Sequence, residues 1–273
     1  GVLRKMGSDF FKQTPPNLEM KLISLNTWGG RAGKDKLLAF FAAHKDVNVF
    51  CLQEIWSAPY EYLEGRSAGG LSIDHSNIMV YGMQEISTMF ENHTAYFKPH
   101  HLDNYGLMML IKKDFDVISE GDVFVHKDRG HVPEGDIGFH ARNVQFATIV
   151  TKNGNRSILN FHGLWNGGGK GDSEDRLLQS DRIIQFMKTV SNPYVMCGDF
   201  NLLPDTQSIK KLENFGLRNL IKENSVASTR TSFYTKSEKF ADYVFVSDDI
   251  TVKNFKVLSD EVSDHSPLYL EFE

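Results

Sequence analysis

The period of the apolar residues changes along the chain in a regular way. Residues 21–26 form a short apolar run of strand length, residues 34–44 carry Leu37, Leu38 and Phe41 at helical spacing, and residues 47–53 return to a continuous apolar run. The chain therefore opens strand, helix, strand. Residues 57–92 mix helical and loop character, with Gly65, Gly69 and Gly70 as breaks and a second candidate helix near residues 80–90. The pattern then turns β-rich, with runs at 94–97, 105–111, 117–119, 122–125, 144–151 and 156–161. Asn153-Gly154-Asn155 between the last two is a hairpin signal. A helix is predicted at about 173–190, followed by strands at 194–197, 241–246, 252–257 and 268–272. No Pro/Gly/Ser linker, charge block or internal repeat divides this series, which predicts one α/β domain over residues 20–273, two packed sheets with helices outside. Residues 1–19 are irregular and hold Pro15-Pro16; they are expected to be a leader, native or vector-derived, with Met20 as the natural start.

Composition narrows the class. With 273 residues, 41% hydrophobic and 24% charged, the chain can bury a sizeable core and matches soluble globular proteins. The formal charge of −5 argues against coating nucleic acid by bulk electrostatics, while leaving a local basic groove open. Cys51 and Cys197 both sit in apolar strand-like runs, where buried free thiols are expected rather than a disulfide. No apolar run approaches the roughly 18 residues of a membrane span, and no signal-peptide core is visible at the N-terminus. The expectation is a cytoplasmic monomer.

The chemistry concentrates where strands end. Leu25-Asn26-Thr27-Trp28, Leu52-Gln53-Glu54-Ile55, Asn160-Phe161-His162-Gly163, Gly198-Asp199-Phe200-Asn201 and Ser263-Asp264-His265 each put polar groups at the tip of an apolar run or just before one. A single such residue is ordinarily a turn former or a cap. Together, Glu54, Asp199 and Asp264 offer an oxygen-rich cluster suited to a hard divalent cation, and imidazoles beside them supply acid/base groups near neutral pH. In-line attack on a phosphate ester needs charge neutralised at the non-bridging oxygens, an activated water and a proton for the leaving group, and this set can supply all three.

These motifs, together with Ala241-Asp242-Tyr243-Val244 and the full Ser263-Asp264-His265-Ser266-Pro267, resemble in order and spacing the metal-dependent endonuclease/exonuclease/phosphatase superfamily. The resemblance spans residues 22–272. It implies a DNase-like four-layer α/β sandwich of two mainly antiparallel sheets. It further implies Glu54 as the principal ligand of Mg²⁺, with Mn²⁺ as a substitute, and Asn26 and Asp264 completing the metal site directly or through water. Asp199 would orient or deprotonate the attacking water, and Asn201 would hold that water or a phosphate oxygen. His265, oriented by Asp242, would act as base or transition-state donor, and His162 would protonate or stabilise the leaving oxygen. Two departures stand out: Trp28 occupies the position two residues after Asn26 where some nucleases place an acid, and His162 replaces a tyrosine of the apurinic-endonuclease branch. Both lean toward the DNase, sphingomyelinase and phosphatase style of site. The activity implied is Mg²⁺-dependent phosphate-ester hydrolysis, first as a phosphodiesterase or nuclease-like hydrolase with nucleic acid among the candidate substrates. The alternatives are a phosphomonoesterase acting on an inositol phosphate, sugar phosphate or nucleotide, and a catalytically silent binding protein on the same fold.

Further residues are candidate substrate determinants, each with a plainer alternative. Arg142 opens a strand and has a fork suited to phosphate, or is a surface arginine paired to a carboxylate. Asn104 and Tyr105 line the pocket or form an ordinary turn. Lys170, within the glycine-rich stretch 166–171, reaches the substrate on a mobile loop or belongs to a flexible connector leading to a helix capped by Asp172 or Ser173. Trp165 stacks on a ring or simply packs. The loop 126–140, with His126, His131 and His140, is a binding loop or a solvated one, and a second metal site there would match no familiar spacing. Arg176 and Gln179 share one side of the following helix, where salt bridging is the default expectation.

Overall fold

The first strand shows how the layers arise. In β1 (Met20–Asn26), Met20 and Leu22 join the core between two sheets, whereas Ile23 and Leu25 turn to the opposite face and meet helices, so period-2 alternation serves two apolar layers instead of one core and solvent. The computed structural model describes residues 19–273; residues 1–18, and with them nearly all of the expected leader, lie outside the described residues. After β1 come α1 (Lys34–Ala43), β2 (Val49–Trp56), the small hairpin β3 (Ser67–Ala68) and β4 (Leu71–Ser72), and α2 (Gly82–Met89). Five strands and a helix follow: β5 (His93–His101), β6 (Tyr105–Lys112), β7 (Val117–His126), β8 (Arg142–Thr151), β9 (Gly154–His162) and α3 (Glu174–Met187). The chain continues through β10 (Tyr194–Asp199), α4 (Gln207–Phe215), β11 (Arg218–Asn219) and α5 (Leu220–Glu223), then ends with β12 (Asp242–Val246), β13 (Val252–Val257) and β14 (Leu268–Phe272).

Two six-stranded sheets form, in the orders β13-β14-β1-β2-β6-β5 and β11-β12-β10-β9-β8-β7. Helices α1 and α2 cover the first through Leu37, Phe40, Phe41 and Ile86, and α3 and α4 flank the second through Ile183, Met187, Ile209 and Leu212. This is the four-layer α/β sandwich. At the centre of each sheet lies one parallel pair, β1 with β2 and β9 with β10, among otherwise antiparallel partners. That topology locates the site. The four parallel strands end at one edge of the sandwich, where their antiparallel neighbours β6, β8, β12 and β14 begin. Between the sheets, the buried amides of Gln53, Asn160 and Gln145 form a connected ladder: Gln53 Nε2 donates to Asn160 Oδ1 at 2.7 Å, and Asn160 Nδ2 donates to Gln145 Oε1 at 3.0 Å. This network crosses the core and fixes the register of one sheet on the other, although Gln53 Oε1 is buried in it without a partner.

The structure departs from the sequence expectations in identifiable places. The runs at 117–119 and 122–125 are one strand, β7, whose pairing with β8 shifts register at both ends, so the apparent gap at Glu120 and Gly121 is continuous backbone pairing. Between residues 200 and 240 no element is predicted from the sequence, yet α4 carries Ile209, Leu212 and Phe215 at three-residue spacing within an otherwise polar segment, and β11 and α5 are too short to show a period. Both cysteines are free and buried, as expected. Among the described residues, no helix is long and apolar enough to cross a membrane.

Candidate active site

Close backbone approach creates the site. Asp199 and His162 are register partners at the ends of the parallel pair β10 and β9. A Cβ on Gly198, at φ +141°, would stand 1.9 Å from the Phe161 carbonyl oxygen, and one on Gly163 would stand 2.3 Å from that of Phe200. Only glycine permits this contact. Glu54 lies where the β2–β6 pairing shifts between Leu52 and Ile55, and its φ is +59°, so a bulge aims its carboxylate out of the strand. Asn201 and Trp28 also have positive φ, at +54° and +52°. Three such residues around one site, each costing about 1–2 kcal/mol, are strain held in place by the surrounding fold.

The geometry centres on one oxygen. Asp199 Oδ2 accepts a hydrogen bond from Asn26 Nδ2 at 3.0 Å and lies 3.6 Å from Nε2 of both His162 and His265. The same Asn26 amide donates to Glu54 Oε1 at 3.0 Å, bridging the two carboxylates. Asp199 Oδ1 accepts from the Asn201 backbone N–H, and the Asn201 side chain in turn accepts from Lys170 Nζ at 2.6 Å. On the far wall, His265 Nδ1 lies 2.9 and 2.8 Å from the two Asp242 oxygens, which fixes its proton there. His265 Nε2 then accepts from Arg230 Nη1 at 2.6 Å, and that nitrogen also donates to Asp264 Oδ2 at 3.1 Å.

Burial drives the protonation pattern. It raises the Glu54 carboxyl above its ordinary range and Asp264 adds to the rise, against the opposing pull of Arg31, whose Nη1 lies 3.9 Å away. Burial would also raise Asp199, but His265, His162, Lys170 and Arg230 outweigh it and hold this carboxyl well below the usual range. The two histidines diverge. Burial, then Arg142, pushes His162 far down, so it is neutral at neutral pH. Burial and Arg230 oppose a proton on His265, yet Asp242, Asp264 and Asp199 together raise it, which makes its Nε2 the stronger base once Arg230 moves off.

Around this centre lies a cavity of about 470 Å³. Arg142, 1% exposed, is no surface residue: it donates from Nη2 to the Gly138 carbonyl at 3.0 Å, makes no ion pair among the described residues, and its Nε and Nη1 are buried without partners. His100, His101, His140 and His162 all feel this guanidinium, and burial followed by Arg142 keeps each of them neutral. Sequence reasoning missed His100 and His101, whose proximity to His140 and Arg142 depends on β5 and β8 facing each other across the two sheets; His100 and His140 stack at 4.7 Å.

Other expectations need correction. Asn104 is absent from the cavity wall; its carbonyl accepts from Ser57 N–H and its own N–H donates to the Tyr60 hydroxyl, so it is a turn residue, while Tyr105 does line the cavity. Arg176 forms no salt bridge among the described residues; buried, it donates to the carbonyls of Leu164, Gly169 and Gly171, and Gln179 accepts from Leu164 N–H. These contacts pin the glycine-rich stretch, and Lys170 is buried at its end rather than carried on a free connector. Ser173 caps α3, whereas Asp172 accepts from the first N–H groups of α4. Trp165 stacks on Phe139 at 5.6 Å, Trp28 meets Phe233 at 6.3 Å, and both tryptophans line the cavity. No three ligand atoms of the 126–140 loop come together among the described residues; the cluster that does is Asp199, Asp242 and His265.

The donors beside Glu54 fit a hard divalent cation. Glu54, Asp199 and Asp264 offer carboxylate oxygens, and the raised Glu54 carboxyl is a buried charge that a cation would relieve; Asn26 instead turns its amide N–H to Glu54 and Asp199, while its Oδ1 accepts from Trp28 N–H, so here it positions the carboxylates.

No curated protein sequence matches the chain. Among solved structures, the fold is similar to mannosyl-6-phosphatase of Bacteroides thetaiotaomicron, at 17% identity over 93% of this chain and 99% of that one, TM-score 0.69. It is similar also to D. rerio TDP2 humanized by 14 mutations, at 15% identity over 93% and 99% of the two chains, TM-score 0.64. The catalytic domain of human Nocturnin, solved with bound sulfate, matches at 17% identity over 93% and 94%, TM-score 0.63. At these identities the likeness speaks for the fold. A sequence profile of the Endonuclease/Exonuclease/phosphatase family matches residues 23–265, from within β1 to the histidine that closes the site, and the chain belongs to that family.

Proposed function

We propose that this protein is a divalent-metal-dependent phosphoesterase that hydrolyses compact phosphate esters or chain-terminal phosphates by in-line attack of water. The observation that carries the reading is the single Asp199 oxygen approached by the Asn26 amide and by Nε2 of two imidazoles of opposite basicity. A binding protein on this fold would have no use for three strained residues and a buried unpaired arginine around such a point. Mg²⁺ held at Glu54, with Asn26 and Asp264 beside it, would neutralise charge on the phosphate and polarise it toward attack.

The chain's own residues supply the rest. Asp199, held ionised, orients the attacking water through Oδ2. Asn201 and Lys170 take one phosphate oxygen, and Arg142 offers its two unpartnered nitrogens to another. His265, steadied by Asp242, turns Nε2 from Arg230 to the water and accepts its proton, while neutral His162 donates a hydrogen bond to the leaving oxygen, which is protonated from solvent as His265 gives up its own proton. Size favours small or terminal esters over the interior of a duplex, since a cavity of about 470 Å³ suits a ligand of nucleotide scale and Asp199, His162 and His265 are each under 5% exposed within it. The likeness to a mannosyl-6-phosphatase supports the phosphomonoester side of this reading.

The test is a Mg²⁺ and Mn²⁺ panel with p-nitrophenyl phosphate, bis-p-nitrophenyl phosphate, sugar and inositol phosphates, nucleotides and plasmid DNA. Glu54→Gln should lose at least about 10³-fold in kcat/KM on whichever ester is cleaved. Unchanged hydrolysis in that variant, or rapid cleavage of closed circular DNA with no turnover of small esters, would sink the proposal.

A further inference from the structure

Arg230 lies outside every motif that marks the site, yet it is built into it. Its backbone bridges His265, Thr231 N–H donates to the Asp264 carbonyl, and Ser266 N–H donates to the Thr229 carbonyl, so the segment is fastened to the chain entering β14. The side chain is 6% exposed, its guanidinium stacks 3.9 Å from the Tyr234 ring centroid, and its Nε is buried without a partner. Nη1 takes His265 Nε2 and Asp264 Oδ2, a nitrogen and an oxygen suited to a cation on this wall, and leaves Asp264 Oδ1 to the ion at Glu54.

We propose that the Arg230 guanidinium stands in the place of a second divalent ion, so that the site loads one ion, on the Glu54 side, and no more. This rests on the reading of Glu54 as the ion-holding carboxylate. Three observations carry it. First, the nitrogen and the oxygen that would ligate the second ion are already engaged by a cation: releasing Nε2 to a water leaves Arg230 on Asp264 Oδ2, whereas an ion would break both charge-assisted hydrogen bonds and strand a buried guanidinium. Second, Trp28 stands where a further acid beside Glu54 would have helped to hold a second ion on that wall. Third, the charges close. Glu54, Asp199, Asp242 and Asp264 are matched by Arg31, Arg142, Lys170 and Arg230, and Lys236 and Glu238 at the rim cancel each other. One divalent ion then balances a dianionic phosphate monoester; two would leave the loaded site strongly positive.

The experiment counts tightly bound Mn²⁺ on the metal-stripped full chain by electron paramagnetic resonance and calorimetry, with circular dichroism and melting to confirm the fold. Wild type should bind one ion per chain, Arg230→Met two, and Arg230→Lys, which keeps the charge, one. Two ions in wild type overturn the proposal without recourse to any variant, and so does a folded Arg230→Met protein that binds one or none. Glu54→Gln separates the two levels: it should bind no ion, and retention of one there overturns the Glu54 reading instead. A wild-type protein that binds none overturns both.

Discussion

Arg142→Met should make the protein more stable and less active. Burial takes the Arg142 guanidinium from its ordinary 12.5 down to about 10, and the group is 1% exposed. A cation whose pKa is depressed on folding stays charged at pH 7 in both states, so the folded state bears the whole penalty, about 3 kcal/mol for a shift of this size. Methionine removes that charge and fills similar space with a flexible apolar chain. The loss on the other side is the hydrogen bond to the Gly138 carbonyl, worth about 1 kcal/mol. The net gain of about 1–2 kcal/mol should raise Tm by about 2–4 °C in a domain of this size. Calorimetry in phosphate-free buffer measures it. Adding inorganic phosphate should stabilise wild type by mass action and leave the variant nearly unmoved, because the anion's buried partner is gone. Hydrolysis should fall by about 10²–10³-fold in kcat/KM. A lower Tm in the variant, or equal protection of both proteins by phosphate, would refute the reasoning: the guanidinium would then be a structural element already neutralised by its surroundings.

Gly198→Ala should destabilise by about 3 kcal/mol or more, since its Cβ would collide with backbone rather than with a side chain that can rotate away; denaturant melts that leave the midpoint unchanged would contradict the close-approach account. Lys170, which burial lowers to about 8 against the pull of Asp199, is a cation below that pH and neutral above it. If its charge holds phosphate, kcat/KM should decline as pH rises through about 8, and Lys170→Arg should move that limb to higher pH; an alkaline limb that stays put in the arginine variant assigns it to another group. Arg176→Leu should free the three carbonyls that the guanidinium holds, raising KM more than it lowers kcat and exposing residues 164–171 to proteolysis, whereas protease resistance equal to wild type would mean that the stretch holds itself.

Strand tips were legible in the sequence because the features that mark them are local. Asn26, Glu54, His162, Asp199, Asn201, Asp242, Asp264 and His265 each sit within a few residues of an apolar run, and parallel pairing at the centre of both sheets brings those ends to one edge. Arg142 was legible for the same reason, as the first residue of β8, although its burial was not: nothing in its neighbours tells that the opposite wall would be imidazole instead of carboxylate. The default ion pair for Arg176 failed on similar grounds. Its partners are backbone carbonyls of a turn-rich stretch, and no residue type in the sequence encodes a carbonyl left facing inward.

Arg230 and the His100, His101 and His140 group define the harder case, and they share a cause. Their segments carry little hydrophobic period, and each acquires its setting by long-range pairing: residue 230 against residue 265, and β5 across the sandwich from β8. The same long-range assembly reconciles a net charge of −5 with a site rich in cations. Formal charge sums over a surface on which acids and bases are screened from one another, whereas the cavity gathers Arg31, Arg142, Lys170 and Arg230 where burial makes each charge count. The acidic body and the pocket, whose four cations balance its four carboxylates, therefore act on different substrates. Long polyanions meet a body of net negative charge over their whole length, while a small phosphate ester needs only to enter the cavity, where the unpartnered nitrogens of Arg142 await it. On that physical ground alone, raising ionic strength should narrow any difference between DNA and small esters by screening the exterior, and leave the buried contacts to the small ester nearly intact.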